Sequence, residues 1–278
     1  MVHVFCVASE PHKAAALVTT AQRCDLPLHV HVLPTWNGYV DKITHMMHLL
    51  EPVPDDDLCV FVDAYDVVCF AGVDEIRTKY AAFGADIVFG AELNCYPEHN
   101  APLYRYVDQE CNRTRSTNYA YLNSGSYAGT KRALLAMLGW REPATVEEMC
   151  VHGGDQNYFT QFYLEQCLNP GPHTVVLDRG QTLFQNMCRV AWHECSMVDQ
   201  DGAVRFRNDV LGTTPCFVHL NGYNYYNYAM LNEATGHEEN ILDVLVRPVT
   251  GTLLYRVPYY IMYEGDEQRN LPQTHRDM

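Results

Sequence analysis

Residues 2–8 (VHVFCVA) are almost wholly apolar, and a short apolar run of that kind predicts a buried first β-strand. "SEPHKAAALVTTAQRC" follows and predicts a helix with Ser9 as its N-cap and Pro11 in its first turn. "LHVHVL" (28–33) reads as a second strand. "DKITHMMHLLE" (41–51) reads as a second helix, with Ile43, Met46, Met47 and Leu50 on one face. Leu58–Val62 is a third strand, followed by a helix at 74–83, a strand at 86–92 and an irregular stretch through about 118. A strand at 121–130, the helix "KRALLAMLGW", a helix at 155–167 and two late strands, "TVVLD" and "CFVHL", complete the series. Strands alternating with helices predict an α/β, Rossmann-like fold with a mostly parallel sheet flanked by helices.

The third strand ends in a polar interruption. In "CVFVDAYDVVCF" (59–70), Asp63 and Asp66 sit inside an apolar run. An ionised carboxylate is costly to bury unless it is paired, hydrogen-bonded or bound to a metal. Three positions apart on a regular strand, the two would face opposite ways, so they can share a ligand only if the chain leaves the strand after Asp63. Two carboxylates with exchangeable positions beside them suit a hard cation, Mg²⁺ or Mn²⁺. The plainer alternative is a turn in which Asp66 bonds its own backbone.

Three other segments carry candidate chemistry. His219 closes an apolar strand in "FVHLNGYN" and is followed by Asn221-Gly222, where glycine permits close backbone approach. It is either a hydrogen-bonded structural histidine or a third ligand, which would favour Mn²⁺ over Mg²⁺. "LNSGSYAG" (122–129) places Asn123, Ser124 and Gly125 in an apolar strand, as groups for sugar hydroxyls or as a β-bulge. "GGDQNYF" (153–159) puts Asp155 at a helix start, as an N-cap or as a carboxylate facing a reacting group. Asp63, Glu92 and His219 each stand near the carboxyl end of a strand, where ligands of open α/β sheets bind.

Composition narrows the partners. The 278 residues, 47% hydrophobic, supply a large core, and with no linker or repeat they read as one domain over 1–263 with a polar tail at 264–278. Net charge is −15 with no clustered basic face, which argues against nucleic acid, whereas a divalent cation would let so acidic a chain bind a phosphorylated ligand. The 11 cysteines form no CxxC pair and read as buried thiols. No run approaches the ~18 apolar residues of a membrane span, and the first residues lack the features of a signal peptide. The expectation is a cytoplasmic protein with no membrane partner.

In order, "FVDAYDV", "GAELNCYPE", "YLNSGSYAG", "GGDQNYFTQFYL", "LDRGQTLFQN" and "VHLNGYN" resemble the glycosyltransferase domain of procollagen lysyl hydroxylases and related collagen glycosyltransferases, over about residues 2–231. The resemblance implies a GT-A fold, dependence on Mn²⁺, and UDP-glucose or UDP-galactose as donor. It implies a metal triad of Asp63, Asp66 and His219, with Tyr65 beside the uridine and Trp36 in the donor pocket. Asn123 and Asp155 would line the sugar site as catalytic residues. Glu92, Ser124, Gly125, Asn221 and Gly222 would complete the donor site, and Cys95-Tyr96 stand where the family usually has Cys-Trp. The family's lysine after the histidine motif is absent, so Lys42 or the metal must neutralise the diphosphate. Its aspartate run is reduced to "HGGDQ". The implied acceptor is a hydroxylated protein or glycan, such as hydroxylysine or galactosyl-hydroxylysine of collagen-like chains. Two rival readings are a sugar-nucleotide or glycan-binding module without turnover and a UDP-sugar hydrolase.

Overall fold

The alternation within the first strand decides the layering. A computed structural model of the chain describes residues 1–111, 117–191, 194–200 and 202–222, with the backbone of two further strands, Ala229–Asn232 and His237–Asn240, paired antiparallel. In β1 (Val2–Ala8), Phe5 and Val7 enter one apolar cluster, and Val4, Cys6 and Ala8 enter another. In β3 (Leu58–Val62), Cys59 and Phe61 take the first side, and Leu58, Val60 and Val62 the second. A sheet apolar on both faces needs helices on both. The first face is covered by α2 (Val40–Leu50), α5 (Lys131–Leu138) and α7 (Gly154–Leu168), through side chains such as Met46, Met137 and Phe159. The second is covered by α1 (Ala15–Arg23) and α3 (Val73–Ala82), through Leu17, Ala21 and Ile76.

The central sheet has the order β2-β1-β3-β6-β5-β7, with β2 at Leu28–Val32, β5 at Ile87–Glu92, β6 at Tyr121–Thr130 and β7 at Val175–Asp178. The α/β class and mostly parallel sheet expected from the sequence are present. Only β6 runs against its neighbours, antiparallel to both β3 and β5. A second sheet pairs β4 (Val67–Cys69) antiparallel and β8 (Phe184–Asn186) parallel with β11 (Phe217–His219). Residues 63–66 therefore cross from one sheet to the other.

Several elements depart from the sequence expectation. The first helix begins as a 3₁₀ turn at Pro11–Ala14, and Ser9 is not its cap: Glu10 stands at the cap position and makes no side-chain capping bond. The stretch expected to be irregular contains α4 (Ala101–Glu110), and α6 (Pro143–Val151) was not anticipated; each has proline in its first turn, where the missing N–H costs nothing. The hairpin of β9 (Cys195–Gln200) and β10 (Ala203–Asn208) and the three-residue β8 are also additional, too short or too polar to read as strands. All eleven cysteines are free thiols. Among the described residues no helix is long and apolar enough to cross a membrane. The tail at 264–278 lies outside the described residues.

The β9–β10 hairpin is tied to α3 by one bidentate pair. Arg205 on β10 donates to both Glu75 carboxylate oxygens at 2.6 Å, and Lys79 makes a further 2.6 Å ion pair with Glu75. Burial alone would raise the Glu75 pKa, but the hydrogen bonds from Arg205 and Lys79 outweigh it and hold the carboxyl below its ordinary value. The stabilisation is then full above the ordinary glutamate pKa of about 4.3 and lost as pH falls through the lower folded-state value. Glu75→Gln is expected to cost about 1.5–3 kcal/mol at pH 7, the range for hydrogen bonds to charged groups. In urea titrations the gap between wild type and variant should narrow below about pH 4; a gap independent of pH would remove this pair from the stability of the hairpin.

Candidate functional site

The crossing segment is where the sequence motifs converge. β3 ends at Val62, the backbone N–H of Asp63 donates to Gly125 O on β6 at 2.8 Å, and the chain turns so that β4 begins at Val67. Beside β4, Leu220 N–H donates to Asp66 O at 2.8 Å, which sets the end of β11 against Asp66. His219 Nε2 then lies 3.2 Å from Asp66 Oδ2 and 3.7 Å from Asp63 Oδ2. One ligand atom each from Asp63, Asp66 and His219 falls within 4.8 Å of the others, the only such cluster of three among the described residues. The departure from the strand that the sequence required is thus present, and the turn holds both carboxylates on one site.

Orientation of the histidine comes from two amides. Nδ1 of His219 lies 3.0 Å from Asn123 Oδ1 and 3.1 Å from Asn186 Oδ1. Both amides are oriented from their other end: Asn123 Nδ2 donates to Glu92 Oε1 at 3.2 Å and Asn186 Nδ2 donates to Ala91 O at 3.0 Å. Facing two acceptor oxygens, Nδ1 carries the hydrogen, and Nε2 is left to face the two aspartates. Supporting hydrogen bonds of this kind fix the tautomer of ligating histidines. Burial alone would lower the His219 pKa, but Asp66 and Asp63 raise it. Asp66 is the converse: burial raises its pKa and His219 brings it below the ordinary value.

Lys42 and Asp155 close the other side. Lys42, on α2, donates to Asp63 Oδ1 at 2.5 Å and lies 3.6 Å from Asp155 Oδ2. Burial works against the Lys42 charge, yet Asp155, Asp63 and Asp66 together hold its pKa above the usual lysine range. Asp155 is 3% exposed, and burial pushes its carboxyl up against the pull of Lys42. Its Oδ2 accepts no hydrogen bond. It is not a helix cap: Gly153 holds the cap position of α7 at φ 103°, and no side chain caps the helix. Three carboxylates against one ammonium and one imidazole leave an excess of negative charge, which a divalent cation offsets. One nitrogen and carboxylate oxygens suit Mn²⁺, and Mg²⁺ less well. Donor chemistry and charge therefore both fit such an ion.

Around this centre, Glu92 accepts from Asn123, from Gln156 Nε2 at 3.3 Å and from Asn221 Nδ2 at 3.0 Å. Burial lifts its pKa to about 7 despite the bonds from Asn123 and Asn221. Ser124 N–H donates to Gln156 Oε1 at 2.6 Å. Asn221 uses its other end on the N–H groups of Met187 and Cys188, and Gly222, at φ 97°, packs against Cys188. Tyr65 lies at the crossing turn, its hydroxyl accepting from the N–H groups of Ser9 and Glu10 at 2.8 Å each. Trp36 is farther out, 40% exposed and edge-on to Tyr39, whose ring faces Lys42 Nζ at 5.7 Å. Cys95 is buried and Tyr96 is 55% exposed. Asn186 and Gln156 carry no role in the sequence reading, although both lie in the motifs quoted there. Their signal was a polar side chain in an apolar context.

The β-bulge reading of "LNSGSYAG" holds. β5 and β6 change register between Phe89 and Gly90, with residues 124–126 of β6 forming the bulge, and Asn123 nevertheless faces His219. Gly125 is required by space: a Cβ there would come 2.2 Å from His219 Cε1 and 2.7 Å from Asp63 Oδ2.

A family model described as the PLOD GT domain matches residues 30–239. The α/β fold and the matched family are those of a glycosyltransferase domain. The chain belongs to the glycosyltransferase-domain family of the procollagen lysyl hydroxylases. It is 28% identical over 235 residues to a procollagen-lysine,2-oxoglutarate 5-dioxygenase of Drosophila melanogaster, covering 78% of this chain and 30% of that protein. It is 30% identical over 193 residues to uncharacterized protein R699 of Acanthamoeba polyphaga mimivirus, covering 66% and 36%. With the human multifunctional procollagen lysine hydroxylase and glycosyltransferase LH3 it shares 29% over 170 residues, covering 60% and 21%. The chain thus spans about a third or less of these relatives' lengths. A crystal structure of a glycosyltransferase involved in glycosylation of the major capsid of PBCV-1 overlaps with TM-score 0.48 at 11% identity, over 81% of this chain and 95% of that one.

Gly125→Ala tests the crowding directly. The side chains it would strike are a buried ring and a carboxylate held by Lys42, so neither yields easily. We expect a loss of about 1–3 kcal/mol, the usual cost of overpacking, read as a lower melting temperature. Unchanged stability, with the His219 imidazole NMR signals unmoved, would mean that the strand relaxes freely there.

Proposed function

We propose that this domain transfers a hexose, glucose or galactose, from a UDP-sugar to an acceptor hydroxyl. The observation that carries the reading is the convergence of Asp63, Asp66 and His219 Nε2 at the strand ends, with Nδ1 secured by Asn123 and Asn186. These three residues would hold Mn²⁺ or, less favourably, Mg²⁺. A divalent ion bound there supplies Lewis-acid stabilisation of the charge developing on the UDP leaving group.

The remaining roles fall to the chain's own groups. Lys42 adds a fixed positive charge beside Asp63 and is the ammonium available to the diphosphate side. Tyr65, anchored through its hydroxyl, offers a ring held in one orientation for the uridine, with Trp36 at the rim. Asn123, Ser124 and Gly125 line the sugar side, backed by Glu92 and by Asn221 and Gly222. Transfer forms a bond from the acceptor oxygen to the anomeric carbon, breaks the bond from that carbon to the diphosphate, and releases the acceptor proton. Asp155, with an oxygen free of hydrogen bonds, suits stabilisation of positive charge at the anomeric carbon or acceptance of that proton. Hydroxylysine or galactosyl-hydroxylysine on collagen-like chains is the acceptor we favour, because the human relative bears both hydroxylase and glycosyltransferase in its name.

The direct test is UDP release from UDP-glucose or UDP-galactose with Mn²⁺, with and without a hydroxylysine peptide or its galactosylated form. Slow release accelerated by the acceptor is expected. Fast release without acceptor would instead define a hydrolase, and binding without release a non-catalytic module. Asp66→Ala is expected to abolish Mn²⁺-dependent UDP binding while the protein still melts cooperatively. UDP binding that keeps its Mn²⁺ dependence in that variant would remove Asp66 from the metal site.

Asp155→Asn separates binding from chemistry. UDP affinity should stay near wild type, because this carboxylate is not among the three metal ligands. Turnover should fall by about 10²–10⁴-fold or more, the usual contribution of general acid–base groups. Near-normal turnover would retire Asp155 as a catalytic residue.

A further inference from the structure

Away from the strand-end site, histidines gather on the outer edge of the sheet. β2 is an edge strand, and its alternation puts His29 and His31 on one face. That face meets α2, where His45 and His48 lie one turn apart. His31 Nε2 is 3.0 Å from His45 Nδ1, with ring centroids 4.9 Å apart, and the His45 and His48 centroids are 6.4 Å apart. His48 is 65% exposed and meets Glu51 Oε1 at 3.1 Å, a solvent-exposed contact that a bound cation would have to displace. Nothing in the proposed glycosyl transfer uses these groups.

We propose that His31 and His45, joined by His48 after a rotation of its ring, form a second cation site that takes an imidazole-seeking transition metal of the zinc type. Two imidazole nitrogens on one tetrahedral Zn²⁺ stand about 3.3–3.4 Å apart, from bond lengths of ~2.0–2.1 Å. The His31–His45 pair is already within a few tenths of an ångström of that spacing. Today one ring offers N–H and the other a lone pair; moving a hydrogen from the facing nitrogen to the other nitrogen of the same ring turns both lone pairs to the ion without changing the charge of a neutral pair. Burial, and the nearness of His45 and His48, hold His31 below its ordinary imidazole pKa, which keeps it neutral at pH 7. An all-imidazole set without carboxylates is the opposite preference to that of the Asp63–Asp66–His219 site, so the two sites select different metals.

The position gives such an ion a consequence. His31 and His45 are 14 positions apart, and the segment between them carries Trp36, Tyr39 and Lys42. A metal clip across its ends removes freedom from that segment, as any loop closure does. The second site would therefore brace the segment that delivers Lys42 to Asp63.

The test uses untagged Asp66→Ala protein, in which the first site has lost one of its three ligands, titrated with Zn²⁺ by calorimetry. One equivalent should bind. Its affinity should fall in added His31→Gln, and separately in added His45→Gln, by more than the roughly 10–100-fold that loss of a mere supporting partner costs. The absence of a bound equivalent in Asp66→Ala, or an affinity unmoved by His31→Gln, overturns the assignment. Should a glutamine variant unfold, diethyl pyrocarbonate labelling of the Asp66→Ala protein decides the question. Zn²⁺ must protect His31 and His45, and equal labelling with and without Zn²⁺ overturns the site.

Discussion

Negative charge concentrated where two sheets meet is the constraint on which the arrangement turns. Asp63, Asp66 and Asp155 converge there, and like charges about 4 Å apart near a protein surface repel by roughly 4 kcal/mol. Against a total stability on the order of 5–15 kcal/mol, such repulsion left uncompensated would be a large fraction of the whole. Within the protein, Lys42 and His219 supply the compensation, and both are delivered by elements packed on the central sheet or paired beside it. The proposed divalent ion completes it. Such an ion would let an acidic chain take the anionic donor we propose.

A shell of amides turns this charge cluster into a defined geometry. Asn123 and Asn186 orient His219, Glu92 orients Asn123, and Asn221 and Gln156 meet on Glu92. Every link joins residues from different strands or helices, so the shell forms only when β5, β6, β8, α7 and the end of β11 are all in place. Gly125 is the spatial counterpart of that shell, since the bulge on β6 lets His219 and Asp63 lie against bare backbone. Packing and polar satisfaction thus impose the same geometry, which is what makes a polar network specific.

The aromatic residues divide by position. Tyr65 is anchored at the junction by two backbone N–H groups, whereas Trp36 and Tyr39 stand at the rim, more than a third exposed. Gly154, at φ 65°, brings the start of α7 against the Tyr39 ring, so the rim and the Asp155 helix touch directly. The inner ring is thus tied to backbone while the aromatic rim stays open to solvent.

The sequence alone determined the periodic elements and the ends of the strands. Apolar runs in β1, β3 and β5 and the apolar face of α2 announced an α/β sheet buried on both sides. Asp63, Asp66 and His219 stood out because polar groups ending apolar strands demand partners. Short or proline-led elements were not legible: α4 and α6 begin at prolines that read as breaks, and β8 owes its three residues to pairing with β11. The direction of β6 was invisible as well, because strand sense is set by which neighbours pair. Tertiary structure alone decided that Asp155 is no cap, that Ser9 serves Tyr65 rather than a helix, and that Asn186 supports His219. Those outcomes rest on contacts between residues as many as 56 positions apart in the chain, which local periodicity does not encode.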